Sequence, residues 1–422
     1  MQIDPSRRSF LAKMAGGIAV FPASALARSG SFSLFSSVDE GSSYWELVRQ
    51  QFPFHEDRVP MNAANLCPSP RMVAEQVSEL TRDIDIDCSF QNRSKFHDLQ
   101  ESSRRKVAEH LGVSPEEIAL VRNTSEANNT VNNGLALSTG DEIVLWDQNH
   151  PTNNVAWDVR AARFGLVVKR VSTPEHPESI QQLVDVFEKA FGPKSRVLAI
   201  THVSNVSGIR LPARELTEAA HRRGIHVHLD GAQTWGSLDV NLREIGCDSY
   251  SASAHKWFVG PKEVGVLYVR EDRIPHIWPN VVAPGWGDDV EPDVKGARKF
   301  ESLGQRDDAT LAAVGTTVDF HQMVGPQRIE HRVQELASLL KGELKELGVS
   351  LVTPEEPELS GGVCIIEVRK ENRGPMVDRL YREHGIAAAP TGGLRLCPHL
   401  YNTREHVERA VAGVRALRSL LV

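Results

Sequence analysis

Three stretches decide the fold: RVLAITHVSNVSG (Arg196–Gly208), GIHVHLDGAQTWG (Gly224–Gly236) and DSYSASAHKWFVGPKEVGVLYV (Asp248–Val269). Val197–Ile200, Ile225–Leu229 and Val264–Val269 are short apolar runs rich in β-branched residues, the pattern of buried strands. Asp248–Ala254 supplies a further strand. Outward from these runs, strands at Ile118–Val121, Ile143–Trp146 and Val167–Val171 alternate with helices at Gln100–Leu111, Ile180–Ala190 and Ala213–Arg223. Arg122–Asn129 opens another helix, and Gly224 sits where a helix C-cap is expected. This alternation predicts an α/β chain whose mainly parallel sheet is covered on both faces. Ligands of such sheets lie at the carboxyl ends of the strands.

Asp230 stands at the carboxyl end of the middle run, and Lys256 follows 26 positions later, just past the next strand. Alone, such a lysine is usually a solvated loop residue and such an aspartate a turn or cap. Together they are what pyridoxal 5'-phosphate (PLP) needs. The lysine amine forms a Schiff base with the cofactor aldehyde, and the carboxylate keeps the ring nitrogen protonated so that the ring takes up electrons.

HLDGAQTWG followed by SASAHKWFVGPKEVGVLYV resembles the class V aminotransferase family, which includes cysteine desulfurases and isopenicillin N epimerases. The resemblance runs from about Asn62 to the C-terminus. It implies a fold type I PLP-dependent transferase, with a large domain over 61–299 and a smaller α+β domain over 300–422. It also implies a role for each matching residue. The turn at Thr124 and Ser125 would hold the cofactor phosphate, although hydroxyls there also serve as plain helix caps. His150 would stack on the ring and move protons at the substrate α-carbon. Asn205 and Gln233 would approach the phenolic oxygen, and Ser253 and His255 the phosphate. Trp257 reads as packing.

Leu394–Thr403 (LRLCPHLYNT) looks like the family motif whose arginine pairs with the substrate α-carboxylate, a role that falls to Arg395. Asn62 and Asn65 lie in a loop that approaches the substrate in the family; their side chains equally suit loop backbone groups. Phe300–Asp307 (FESLGQRD) resembles a segment that reaches the neighbouring subunit's cofactor phosphate, which points to a homodimer. Gln305 stands where threonine is usual, so that contact is open.

The chain has 422 residues, 41% of them hydrophobic and 24% charged, with net charge −7. This length suits two domains. The mild acidity gives no sign of nucleic-acid binding. Cys67, Cys88, Cys247, Cys364 and Cys397 are scattered, so neither a metal site nor a disulfide framework is indicated. Arg7-Arg8, the apolar Met14–Leu26 and Ala25-Leu26-Ala27 read as a twin-arginine (Tat) signal over 1–27, predicting passage through the Tat machinery to the periplasm. A leader over 28–60 follows, with a helix at Ser43–Gln51 expected to pack across a dimer.

Desulfurases of the family carry a nucleophilic cysteine just before the substrate arginine. Here Ala387–Gly393 (AAAPTGG) has none, Cys364 lies in an apolar strand and Cys397 follows the arginine. The expected activity is transamination or epimerisation at the α-carbon of an amino acid or peptide-borne amine. The alternatives are C–S lyase chemistry and a non-catalytic PLP-fold binding protein.

Overall fold

The structure is a computed structural model that describes residues 42–283 and 295–421. Its centre is a seven-stranded sheet formed by β2 (Ile118–Val121), β3 (Glu142–Trp146), β4 (Val167–Val171), β5 (Ser195–Thr201), β6 (His226–Asp230), β7 (Ser249–Ser253) and β8 (Gly265–Val269). The order is β2-β8-β7-β6-β5-β3-β4. Neighbours pair in parallel except on either side of β8, which runs against both β2 and β7. The sheet is therefore mainly parallel, as the sequence predicts. Because β8 turns back beside β7, the chain between them returns to the sheet directly, and that short connection carries Lys256.

One face of the sheet buries Leu120, Val144, Leu198, Ile200, Val227 and Leu229. The other buries Val121, Ile143, Leu145, Val197 and Ala199 against Val131 and Trp157 of the covering helices. Each such side chain contributes about 1.5–3 kcal/mol on burial, which is why the central strands read as unbroken apolar runs. β4 lies at the edge and is partly exposed.

The smaller unit packs Leu336, Leu340 and Leu344 of helix Pro326–Glu346 and Val407, Val411 and Val414 of helix Arg404–Ala416 around β9 (Cys364–Ile366) and β11 (Leu394–Leu396). β1 (Val59–Pro60) joins this unit by pairing in parallel with β10 (Ile386–Ala387).

Helix Ser42–Arg49 packs Val48, and Phe52 just beyond it, with Trp257, Phe320 and Tyr401 of its own chain. One sequence expectation needs correction. Helix Asp308–Val324 falls in the stretch read as the smaller unit, yet Leu311, Val314 and Val318 lie in the core of the sheet unit. That helix, and Arg71–Ile86 beside it, escaped the sequence reading altogether. Asp308–Val324 is buried nearly all round and shows no single apolar stripe. Beyond β8 the chain forms the short 3-10 helix Glu271–His276, and the stretch 1–27, read in the sequence as a signal, lies outside the described residues.

Burial holds several histidines neutral. It pulls His202, His228 and His399 down to about 3, and His110 and His226 down to about 4. In the unfolded chain each binds a proton below about 6.5. The unfolded state therefore takes up more protons, and stability falls as pH drops from about 6.5 toward 4. The expected loss between about pH 7 and 5 is on the order of several kcal/mol. Urea midpoints measured across that range check this; a level midpoint would contradict it.

Candidate active site

Parallel register brings the site together. Thr201 at the end of β5 lies opposite Asp230 at the end of β6, and Asp230 lies opposite Ser251 of β7. Ser253 ends β7, and His255 and Lys256 follow it. Helix Thr124–Gly134 starts against them. The hydroxyl of Ser253 accepts from Thr124 N at 2.8 Å and lies 2.7 Å from Thr124 Oγ1. Asn123 caps the helix by accepting from Glu126 N at 3.0 Å. The amide of Ser125, in the first turn, has no intrahelical acceptor and adds to the positive end of the helix.

A cavity of about 200 Å³ gathers Thr124, Ser125, His150, Asn205, Asp230, Gln233, Ser253, His255 and Lys256. Nine of the twelve site residues singled out in the sequence thus face one space. Its lining also includes Asn123, Thr152, Thr201 and Ala232, which the sequence reading passed over.

Arg395 and Asn62 stand behind that lining. Arg395 Nη1 donates to the carbonyl of Asn205 at 3.1 Å, and Nη2 to Asn62 Oδ1 at 3.0 Å. The guanidinium is buried, and its Nε has no partner among the described residues. Asn62 therefore steadies the arginine, while Asn65 is exposed. The charge of Arg395 still reaches the cavity. Burial lowers the Lys256 ammonium from its ordinary value; Asp230 opposes that shift and Arg395 adds to it. His150 is lowered by burial and by Lys256. Its Nδ1 accepts from Thr152 N, so the ring proton sits on Nε2.

Two neighbours do structural work the sequence did not show. Trp257 is fully buried and donates from Nε1 to Gln233 Oε1 at 2.8 Å, while Gln233 Nε2 reaches the Ala64 carbonyl at 3.1 Å. The indole thus packs and also orients the glutamine. Asn128, one helical turn after Thr124, donates to Asp230 Oδ2 at 2.8 Å. The i, i+4 spacing of Thr124 and Asn128 was the available signal.

Gln305 is exposed, with its amide held by Arg93 and by the Arg306 carbonyl. Glu301 beside it accepts from Arg104 and from Leu120 N, which ties this segment to the sheet. Cys364, Cys397, Cys247 and Cys67 are buried, and only Cys88 is exposed. Burial pushes the Cys364 and Cys67 thiols up to about 12. Neither is a ready nucleophile.

The donor set fits PLP. Asp230 is buried and makes no ion pair among the described residues, so its carboxylate is available to a protonated ring nitrogen. Lys256 reaches the same cavity, and its amine makes no hydrogen bond among the described residues. Hydroxyls and a helix start converge where a phosphate dianion would sit.

The family model "Aminotransferase class-V" matches residues 70–416. Isopenicillin N epimerase of Amycolatopsis lactamdurans is 31% identical over 88% of this chain and 98% of its own length. Isopenicillin N epimerase of Streptomyces clavuligerus is 30% identical over 88% and 98%. A cysteine desulfurase of Escherichia coli O7:K1 is 29% identical over 76% and 83%. Among solved structures, the apo cysteine desulfurase of Thermococcus onnurineus NA1 superposes with TM-score 0.79 at 24% identity, covering 88% of this chain and 97% of its own. The cystine C-S lyase C-DES superposes with TM-score 0.77 at 23% identity, covering 86% and 98%. These superpositions show the shared fold. Taken with the geometry of the Asp230–Lys256 cavity, the family match over most of the sequence leads to one conclusion: the chain belongs to the class V aminotransferases, fold type I enzymes that use PLP.

Proposed function

We propose that this enzyme withdraws and returns the α-proton of an amino acid or a peptide-borne amine, as an epimerase or a transaminase, and does not mobilise sulfur from cysteine. The observation that carries the reading is the pairing of Lys256 and His150 in one cavity whose described lining contains no cysteine. When bound, PLP supplies an electron-withdrawing ring that accepts the electron pair released at the substrate α-carbon. Lys256, drawn toward its neutral form, takes that proton on Nζ and gives it back. His150 keeps Nε2 for the cavity because Thr152 N occupies Nδ1. Arg395, hydrogen-bonded to the Asn205 carbonyl, holds the substrate carboxylate. Two groups able to carry a proton suit epimerisation, and the two epimerase relatives support the same reading.

Incubation with candidate amino acids in deuterated water tests it. Exchange at the α-carbon without a keto acid means epimerisation, and a keto acid means transamination. Pyruvate with a thiol or sulfide would overturn the proposal in favour of C–S cleavage.

We propose further that the enzyme works as a homodimer in the periplasm. The Phe300–Asp307 segment supports the first part, and the paired Arg7-Arg8 before an apolar run supports the second.

A further inference from the structure

The face of the sheet beneath helix Thr124–Gly134 is polar where it should be greasy. His226, His228 and Asp230 alternate along β6, and Ser249, Ser251 and Ser253 alternate along β7. Asn128 comes down between them. Asn128, His228, Asp230, Ser249 and Ser251 are each at most 2% exposed.

Their bonds have a direction. Asp230 in this pair is an acceptor: Oδ1 takes Ala232 N at 3.0 Å and Oδ2 takes Asn128 Nδ2 at 2.8 Å. That orients the Asn128 amide and turns its Oδ1 toward His228 Nε2 at 2.9 Å and toward the Ser251 hydroxyl. The acceptor at Oδ1 requires the His228 proton on Nε2, so His228 Nδ1 accepts from Ser249 Oγ at 2.9 Å. Ser249 donates to His228, His228 to Asn128, and Asn128 to Asp230. His226 Nε2 lies 3.2 Å from Ser249 Oγ and extends the seam down the sheet. Well-packed apolar side chains would fill the same space without the desolvation cost of five polar groups. What they would not do is point a donor at one carboxylate oxygen.

We infer that Asn128 is a positioning residue: it fixes the Asp230 carboxylate against the PLP ring nitrogen, and His228 and Ser251 fix Asn128 in turn. The inference rests on Asp230 being the ring-nitrogen partner. A swung carboxylate holds the ring nitrogen protonated less well, the ring withdraws fewer electrons, and the bound cofactor's visible band titrates at higher pH.

The test is a pH titration of that band in the full-length holoenzyme, with cofactor dissociation measured alongside. Asn128→Leu raises the midpoint by about one unit and weakens cofactor retention about tenfold, as expected for a lost charge-assisted hydrogen bond. His228→Leu shifts the midpoint in the same direction, while His228→Gln, which still donates to Asn128 Oδ1, keeps it native; this pair decides the matter if Asn128→Leu does not fold. A midpoint unchanged or lowered in the leucine variants overturns the inference. Asp230→Ala, run in parallel, separates the two assignments. If it leaves the band unmoved, the ring-nitrogen role itself fails; if it moves the band and the leucine variants do not, only the role of Asn128 fails.

Discussion

Lys256→Ala abolishes turnover and removes the visible absorbance that marks cofactor linked to the protein. In the proposed function the lysine has two duties, tether and proton carrier, and both end with its amine. A positioned acid–base group alone is worth roughly 10²–10⁴-fold, so a loss of at least about 10³-fold is expected. Lys262→Ala is the matched control. Lys262 lies on the same connection between β7 and β8, but its Nζ donates to Ser69 Oγ at 2.9 Å and does not line the cavity. It should retain turnover and colour. Full activity in Lys256→Ala, or equal losses in both variants, would contradict the assignment. Absorbance before and after borohydride reduction, with a turnover assay, provides both readouts.

The second large effect is expected at Arg395. Arg395→Leu should lower kcat/KM by about 10²–10³-fold, because losing one partner of a buried, hydrogen-bonded charge pair costs roughly 2–5 kcal/mol. Arg395→Lys should recover only part of this, since an ammonium lacks the planar fork that meets both carboxylate oxygens. The decisive comparison uses an amine without the carboxylate. Against that compound the native enzyme and Arg395→Leu should converge. If the gap persisted, the guanidinium would be holding Asn205 and Asn62 in place and not gripping the substrate. Steady-state kinetics on the paired substrates settles which.

Much of this was readable before any coordinates. The β-branched runs around Asp230 and Lys256 announced the central strands, and a parallel sheet puts whatever follows its strands at one rim. That is why Thr124, His150, Asn205, Asp230 and Lys256 share a cavity though they span more than a hundred positions. Other features depend on partners that periodicity cannot see. The reversal of β8 is a pairing choice, and its sequence GVLYV would serve in either direction. Asp308–Val324 lost its amphipathic signal because neighbours cover it on most sides. Asn128 looked like an ordinary helix residue until His228 and Asp230 were seen beneath it. Cys364 and Cys397 read as unsuited to nucleophilic work, and their burial gives the physical reason.

The pairing of β1 with β10 has a consequence for how the enzyme comes into being. Val59 N reaches the Gly385 carbonyl at 2.8 Å, and Cys397 N reaches the Met61 carbonyl at 2.8 Å. Asn62 meets its guanidinium across 333 positions of chain. Every residue that lines the cavity has been synthesised once Lys256 has left the ribosome, whereas the Arg395–Asn62 bond waits for almost the entire polypeptide. Synthesis thus has a built-in order, cavity lining first and the Arg395–Asn62 bond last, and a chain cut short after Lys256 would lack β8 and helix Asp308–Val324, whose side chains fill the core of the sheet unit.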